Sequence, residues 1–190
     1  MLSNGLMNDE ALLVKQVKDG NALAFQQLVQ QHQRLVFHMV HRIVNRSEDC
    51  EDISQEVFLR VYQKIHLFNF QSKLSTWIAT IAYRTALNYV KKEEKHSSTD
   101  IDEAISLASP EQSAQQLLEK KAIYQFIHER ISELPVHYRT VLTLFHLEEM
   151  SLQEIQKVTD MPLGTVKNYL FRARKLLKEQ LQNQFEPEEL

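Results

Sequence analysis

Residues 151–175 constrain the fold of this chain more than any other stretch. Ser151 followed by Glu154 is a capping-box pattern that starts a short helix. Leu152, Ile155 and Val158 give that helix one apolar face. Asp160, Pro162 and Gly164 then break the chain into a turn. The spacing predicts a second helix from about Thr165, with Val166, Leu170, Ala173 and Leu177 inward. That leaves Lys167, Asn168, Phe171, Arg172, Arg174 and Lys175 facing outward. A short helix, a tight turn and a second helix with outward cations is how a recognition helix enters a major groove. The bland alternative is two amphipathic helices of an all-helical protein, with basic residues complementing a helix dipole. Phe171 favours the first reading, because an apolar ring in a solvated basic face needs a partner.

Scarce Gly (3) and Pro (4) in 190 residues favour long helices over turn-rich β structure. The net charge is −3, so DNA contact must come from local basic faces rather than from the chain as a whole. The single cysteine, Cys50, rules out an internal disulfide framework and fits a reducing cytosol. At the start of an acidic helix it reads as a buried filler, although a helix N-terminus lowers a thiol pKa. No signal peptide and no transmembrane run is expected, so neither is membrane insertion, and the expected location is cytoplasmic. His38 and His41 share a helix face but have no cysteine pair nearby, so no metal site is expected. With no phosphate loop and no nucleophile elbow, neither an enzyme nor a cofactor is expected.

Asp9 to Lys18 reads as a short helix ended by Asp19-Gly20, and Asn21 as the cap of a long helix through about Val44. A third is expected from Glu48 to about His66, with Ile53, Val57, Val61 and Ile65 as its buried stripe, and a fourth from about Ser75 to Lys92. Composition then changes. Residues 93–119 carry seven acids against one cation, Lys95. Ser109-Pro110-Glu111-Gln112 restarts a helix that runs to about Glu133, and Leu134-Pro135 starts another that ends before Met150. The expected architecture is all-α, with two small helical domains, 1–94 and 110–190, joined by a flexible acidic linker over 95–109.

Taken together the two modules resemble the extracytoplasmic-function (ECF) group of bacterial sigma factors in the sigma-70 family. The first module matches at Ala24-Phe25, along 51–59 (Glu51, Asp52, Gln55, Glu56 and Phe58 among them) and along 77–82, from Trp77. In the second the residues are Leu134-Pro135, Arg139, Val141, Leu142, Glu154-Ile155, Pro162, the run 164–167, and Arg172-Ala173-Arg174. No single motif is decisive. Two sets in this order and at this separation are specific.

The resemblance implies a sigma factor that brings core RNA polymerase to promoter DNA and assists its opening. It implies that region 2 binds a coiled coil of the largest polymerase subunit through Asp49, Asp52, Gln55 and Glu56, and that the flap region is a further polymerase contact. It also implies that a −10 pocket for unstacked bases is built from the loop Phe68 to Lys73 and the helix after it. Asn69, Gln71, Ser72 and Lys73 would supply hydrogen-bonding groups there, with Trp77, Tyr83 and Arg84 alongside. Trp77 reads equally as plain core. Region 4 would read the −35 element, with Lys167 and Phe171 facing bases and Arg172, Arg174 and Lys175 on phosphate; Asn168 lies on the same face. An anti-sigma factor or a recruiting protein is a further partner the family admits, and the sequence leaves its existence open. The linker is open between a passive tether and an acidic strand in the polymerase cleft.

Several residues depart from the family pattern. Arg84 replaces a common Asn, Thr80 an Arg, Phe70 a Gly, Gln156 an Ala, Asp160 a turn Gly and Tyr169 an Arg. Fewer cations near DNA lead to the expectation of weak −35 binding and dependence on a recruiter. The competing readings are a helix-turn-helix regulator that works without polymerase and a helical adaptor that binds protein only.

Overall fold

The computed structural model describes residues 3–44, 47–96, 126–127 and 129–185, and every regular element among them is helical. Helix α1 spans Ser3–Lys18 and α2 spans Ala22–Ile43. Helix α3 covers Ser47–Lys64 and runs into a 3-10 turn at Ile65–Leu67. Helix α4 covers Leu74–His96, reaching into the stretch expected as linker. The remainder of that linker and the expected helix start at Ser109 lie outside the described residues. Residues 126–127 and 129–132 are helical, at the expected end of that helix. Helices α5 (Val136–His146), α6 (Leu152–Thr159) and α7 (Leu163–Phe185) complete the second module.

Local chemistry sets these boundaries. Gly20, at φ 82, ends the first turn region, and the Asn21 side chain accepts from the backbone N–H groups of Leu23 and Ala24 at 3.0 and 3.2 Å to start α2. The capping box at Ser151 and Glu154 is present in both directions. Helix α6 ends on Asp160 at φ 59, a left-handed position that Asp tolerates better than most residues. Pro135 precedes α5 as expected, and its carbonyl accepts from the backbone N–H groups of Tyr138 and Arg139.

Helices α1 to α4 bury one another's apolar stripes. Val14, Val17, Leu28, Val36, Met39, Val40, Val57, Val61, Ile78 and Ala82 are all essentially sealed from solvent. The stripe expected on α3, Ile53, Val57, Val61 and Ile65, is buried throughout. Each buried valine, leucine, isoleucine or methionine here contributes about 1.5–3 kcal/mol by burial, more than helix propensity supplies per residue. The second module has its own small core of Ile131, Leu134, Leu142 and Ala173.

The two modules do not sit apart. Helix α5 lies against α2 and α6 against α4, and one buried cluster continues from Leu28 and Met39 through Leu144, Ile155 and Val166. Arg139 explains part of this closure. It is buried at 7 % exposure, and its guanidinium donates to the carbonyls of Arg42 and Ile43 at the C-terminal end of α2 and to the carbonyl of Ser132. Those last carbonyls of α2 have no partner within their own helix, and a cation there also meets the negative end of the dipole.

Cys50 is 1 % exposed on the buried side of α3. Burial, reinforced by the neighbouring Asp49 carboxylate, pushes its thiol up to about 11, so the helix N-terminus does not activate it. At pH 8 only about one molecule in a thousand carries the thiolate. A thiol reagent at pH 8 should therefore label the native chain very slowly and the denatured chain within minutes. Comparable rates in the two states would show Cys50 to be accessible.

Candidate nucleic-acid interface

The helix-turn-helix is formed by α6, the turn at Asp160 to Pro162, and α7. Val166, Leu170 and Ala173 are buried and Leu177 packs partly against them, as the spacing requires. Lys167, Asn168, Phe171, Arg172 and Lys175 are exposed, and the Phe171 ring is 68 % exposed. Arg174 is oriented differently. Its guanidinium donates to Nε2 of His146 at 3.1 Å and lies 5.1 Å from the centroid of the Phe145 ring, so it is held against α5. Lys175 is paired weakly along its own helix with Glu179 at 3.8 Å. Tyr169, which the sequence reads as a cation lost from the recognition surface, is half-buried and packs on Tyr138 and His137 of α5. Its ring serves packing, and its position says nothing about DNA affinity.

The loop between the 3-10 turn and α4 is tightly fixed. Phe68 is buried at 2 % exposure with its ring against Phe70 and Trp77, and its carbonyl accepts from Lys18 Nζ at 2.8 Å. The Asn69 side chain accepts from the Gln71 backbone N–H at 3.3 Å. Phe70 sits at φ 61 with its ring half out in solvent. For a bulky residue that backbone costs about 1–3 kcal/mol, where a glycine would be unstrained. Ser72 is half-buried, and Asn69, Gln71 and Lys73 are exposed.

Trp77, Tyr83 and Arg84 divide between core and surface. Tyr83 is 5 % exposed within the core, and burial, helped by the nearby Tyr169, raises its phenol pKa. Trp77 is half-buried: one side packs on Phe68, and another lines a 250 Å³ pocket with Arg60, Lys64, Thr80 and Arg84. The Trp77 ring is thus core on one side and pocket lining on the other. The three cations of this pocket come from two helices, and Arg60 and Lys64 escaped the sequence reading. Their signal lay in the register of α3, where both fall off the buried stripe on the side facing α4.

On α3 itself Asp52, Gln55 and Glu56 are exposed and Asp49 is half-buried. Glu56 pairs with Arg60 one turn on at 2.6 Å. Leu59 and Tyr62 continue the same face at 61 and 46 % exposure, so the stripe is acidic at its start and apolar further on. The sequence reading named only the acidic half. A second apolar feature is a groove of about 510 Å³ on the second module, lined by Ile127, Ile131, Leu142, Leu177 and Leu181 with Lys178 at its edge.

The two candidate DNA elements meet directly. The Glu154 carboxylate accepts from the backbone N–H and hydroxyl of Ser151, both at 2.8 Å, and from Lys73 Nζ at 2.9 Å. Lys157 Nζ donates to the carbonyl of Gln71 at 3.3 Å. Burial works to raise the Glu154 carboxyl, but the Lys73 ammonium and the two Ser151 donors outweigh it and bring the pKa down to about 2. Farther along the same seam His38 Nδ1 lies 2.6 Å from the Glu148 carboxylate, with both side chains largely covered. Among the described residues no group of three or more His, Cys, Asp or Glu side chains is arranged to hold a metal ion, and no helix is long and apolar enough to cross a membrane.

Comparison with known proteins accounts for this arrangement. Residues 28–96 match the family model Sigma-70 region 2, and residues 125–177 match Sigma-70, region 4. The chain is 31 % identical over 179 residues to the ECF RNA polymerase sigma factor SigW of Bacillus subtilis, covering 90 % of this chain and 95 % of that protein. It is 32 % identical over 182 residues to the ECF RNA polymerase sigma-E factor of Escherichia coli, covering 91 and 94 %. Among solved structures its fold is similar to the sigma factor RpoE of Bartonella quintana, crystallised with the anti-sigma factor NepR (TM-score 0.69, 19 % identity, covering 83 % of this chain and 96 % of that one). It is similar also to CnrH in complex with the cytosolic domain of CnrY (TM-score 0.66, 18 % identity, covering 92 and 97 %).

The Glu154 carboxyl has its ordinary pKa of 4.5 in the unfolded chain and about 2 in the folded one. A depressed carboxyl contributes stability that is complete above pH 4.5 and is lost as the pH falls towards 2. Glu154→Gln should therefore lower stability at pH 7 by about 0.5–2 kcal/mol, the scale of a lost cap. The gap between the two chains should close between pH 4.5 and 2 in urea melts followed by circular dichroism. A gap that persists unchanged at pH 2 would show that the carboxylate charge is not what stabilises this corner.

Proposed function

The chain belongs to the ECF group of the sigma-70 family, and from that premise we propose how its surfaces divide the work of promoter recognition. The first module, residues 1–94, binds core RNA polymerase and takes the −10 element. The second, residues 110–190, reads the −35 element in duplex DNA. The observation that carries the reading is the outer face of α7, where Lys167, Asn168, Phe171 and Arg172 stand exposed above an inner face buried at Val166, Leu170 and Ala173.

Lys167 and Phe171, one helical turn apart, face base edges, the lysine towards acceptors and the ring towards apolar groups such as a thymine methyl. Arg172 and Lys175 neutralise phosphates, which sets register and affinity but not sequence. Arg174 joins them once DNA competes with His146 for its guanidinium. On the first module Asn69, Gln71, Ser72 and Lys73 hold bases that have left the stack, and Trp77 offers a ring face for stacking. Arg60, Lys64 and Arg84 flank that ring and suit the phosphates of a single strand. Tyr83 supports this face from beneath rather than touching DNA.

Polymerase contact falls to the exposed face of α3, Asp52, Gln55 and Glu56 continuing into Leu59 and Tyr62, with Asp49 at its edge. Acidic residues speed association with a basic coiled coil, and the apolar pair supplies the central burial such interfaces need. The apolar groove beside Leu142 and Leu181 suits a helix of the flap region. The protein acts in the cytoplasm, beside the polymerase, which supplies the bond-forming chemistry.

Run-off transcription with core polymerase on a pool of random upstream sequences should yield new transcripts sharing spaced −35 and −10 motifs. Binding to core without selected transcripts would point to a recruiting protein, and no binding to core would overturn the division of labour. Within that assay Lys167→Ala or Phe171→Ala should change which −35 sequence is selected. Arg172→Ala should instead weaken all sequences alike and reduce the salt slope by about one. If Arg172→Ala shifts sequence preference while Lys167→Ala does not, the roles are reversed.

A further inference from the structure

We propose that α1 frames the −10 loop: Lys18 and Glu10 are positioning residues that hold its two ends, present the Phe70 ring, and so set which −10 bases the chain prefers. The proposal rests on the assignment of that loop to −10 DNA and deepens it. Helix α1 lies ahead of residues 28–96, the stretch that matches region 2, so the match does not extend to it.

The stripe that α1 turns inward is Leu13, Val14 and Val17, all buried. Glu10 stands four residues before Val14 and Lys18 four residues after it, so the two polar residues fall at opposite ends of that one stripe. From there each reaches the loop. Lys18 Nζ donates to the Phe68 carbonyl at 2.8 Å, where the loop begins. Glu10 Oε1 accepts from the Leu74 backbone N–H at 3.4 Å, where the loop ends and α4 starts. An N–H in the first turn of a helix has no partner within that helix, and a carboxylate also suits the positive end of the dipole. The two contacts join residues 50 and 64 positions apart in the chain.

Between these anchors the backbone bends at residues 70–72, with Phe70 at φ 61. A bulky residue keeps such a backbone only where its surroundings over-determine it. Here the Phe70 ring lies 4.8 Å from the Phe68 ring, centroid to centroid, and the Lys18 ammonium lies 5.8 Å from the Phe70 centroid. Lys18 thus fastens the buried Phe68 through its backbone and meets the half-exposed Phe70 through its charge. One ammonium sets the relation between the inward ring and the outward one. The side chains of Asn69, Gln71 and Lys73 stay open to solvent while both ends of the backbone that carries them are tied. A site that tells bases apart needs its groups held to within about 0.5 Å, and a loop reaches that precision only through supporting contacts. Loss of an anchor therefore blurs base preference more than it weakens binding. Loss of an ammonium that touched phosphate would do the reverse.

The test uses core RNA polymerase with the full chain on templates randomised only in the −10 element, behind a −35 element that the parent chain selects. Discrimination is the yield from the preferred −10 sequence over that from single-base changes of it. K18M and E10A, each checked for helicity by circular dichroism, should lower discrimination by about 3–10-fold, the scale of one hydrogen bond, and leave the salt slope as it is. E10Q keeps an oxygen for the Leu74 N–H and should discriminate as the parent does; K18R keeps a cationic donor and should retain most of the preference. K18M and E10A chains that rank −10 sequences as the parent does would overturn the proposal. So would a K18M chain that weakens all sequences alike and lowers the salt slope by about one, the mark of a phosphate contact. The loop variant N69A/Q71A separates the proposal from the reading beneath it. If N69A/Q71A leaves −10 selection unchanged, the assignment of the loop fails. If it shifts selection while K18M and E10A do not, only the framing by α1 fails.

Discussion

The Glu154 carboxylate is the point on which both halves of the molecule turn. Through Ser151 it starts the first helix of the helix-turn-helix, and through Lys73 it reaches the loop of the other module. An ionised carboxylate placed among one ammonium, one hydroxyl and one backbone N–H has its charge fully compensated, which is why it stays ionised far below its ordinary range. A capping residue normally serves only its own helix. Here one carboxylate serves both, Oε2 taking the two Ser151 donors and Oε1 the Lys73 ammonium, so the cap of α6 and a contact between the modules share one charged group.

Arg139 plays the matching part at the other end of the seam. Burial lowers its guanidinium pKa, yet it stays paired because three carbonyls surround it. A buried cation of this kind is costly to leave unsatisfied, by about 1–3 kcal/mol or more for its lost hydrogen bonds. That cost makes the closed arrangement specific rather than merely sticky: an apolar seam alone tolerates sliding, whereas a guanidinium on the end of one helix does not. Any partner that opens the modules must supply new contacts for these groups or admit water to them.

The helices and their caps were legible because the forces that set them act within a few residues. The Asn21 cap, the Ser151–Glu154 box, the Asp160 turn and the inward face of α7 all follow from spacing alone. The seam was not legible. His38 and Glu148 are separated by 110 residues, and Arg139 and Arg42 by 97, with no pattern in either segment that points to the other. Tyr169 and Arg174 show the same limit on a smaller scale. Both lie on α7 among true surface residues, and only the position of α5 turns one inward and draws the other aside. Periodicity tells which face of a helix is apolar, but it does not tell which polar residue on the other face will find a neighbour.

The apolar groups left in solvent carry the remaining argument. Single exposed leucines such as Leu12 or Leu23 are ordinary on a protein surface. Leu59 with Tyr62, and the two rings Phe70 and Phe171, are different because each sits on a face already marked by charge or strain. Leu59 and Tyr62 extend the acidic start of α3, Phe171 stands among the cations of α7, and Phe70 tips a loop held in a left-handed backbone. Folding alone gives no reason to keep the Phe171 ring in water beside fixed charges, and Phe70, though its ring leans on Phe68, carries the conformational cost of its left-handed backbone. Burial against a partner would offset each of these costs, which agrees with the roles proposed above for α3 and for the outer face of α7.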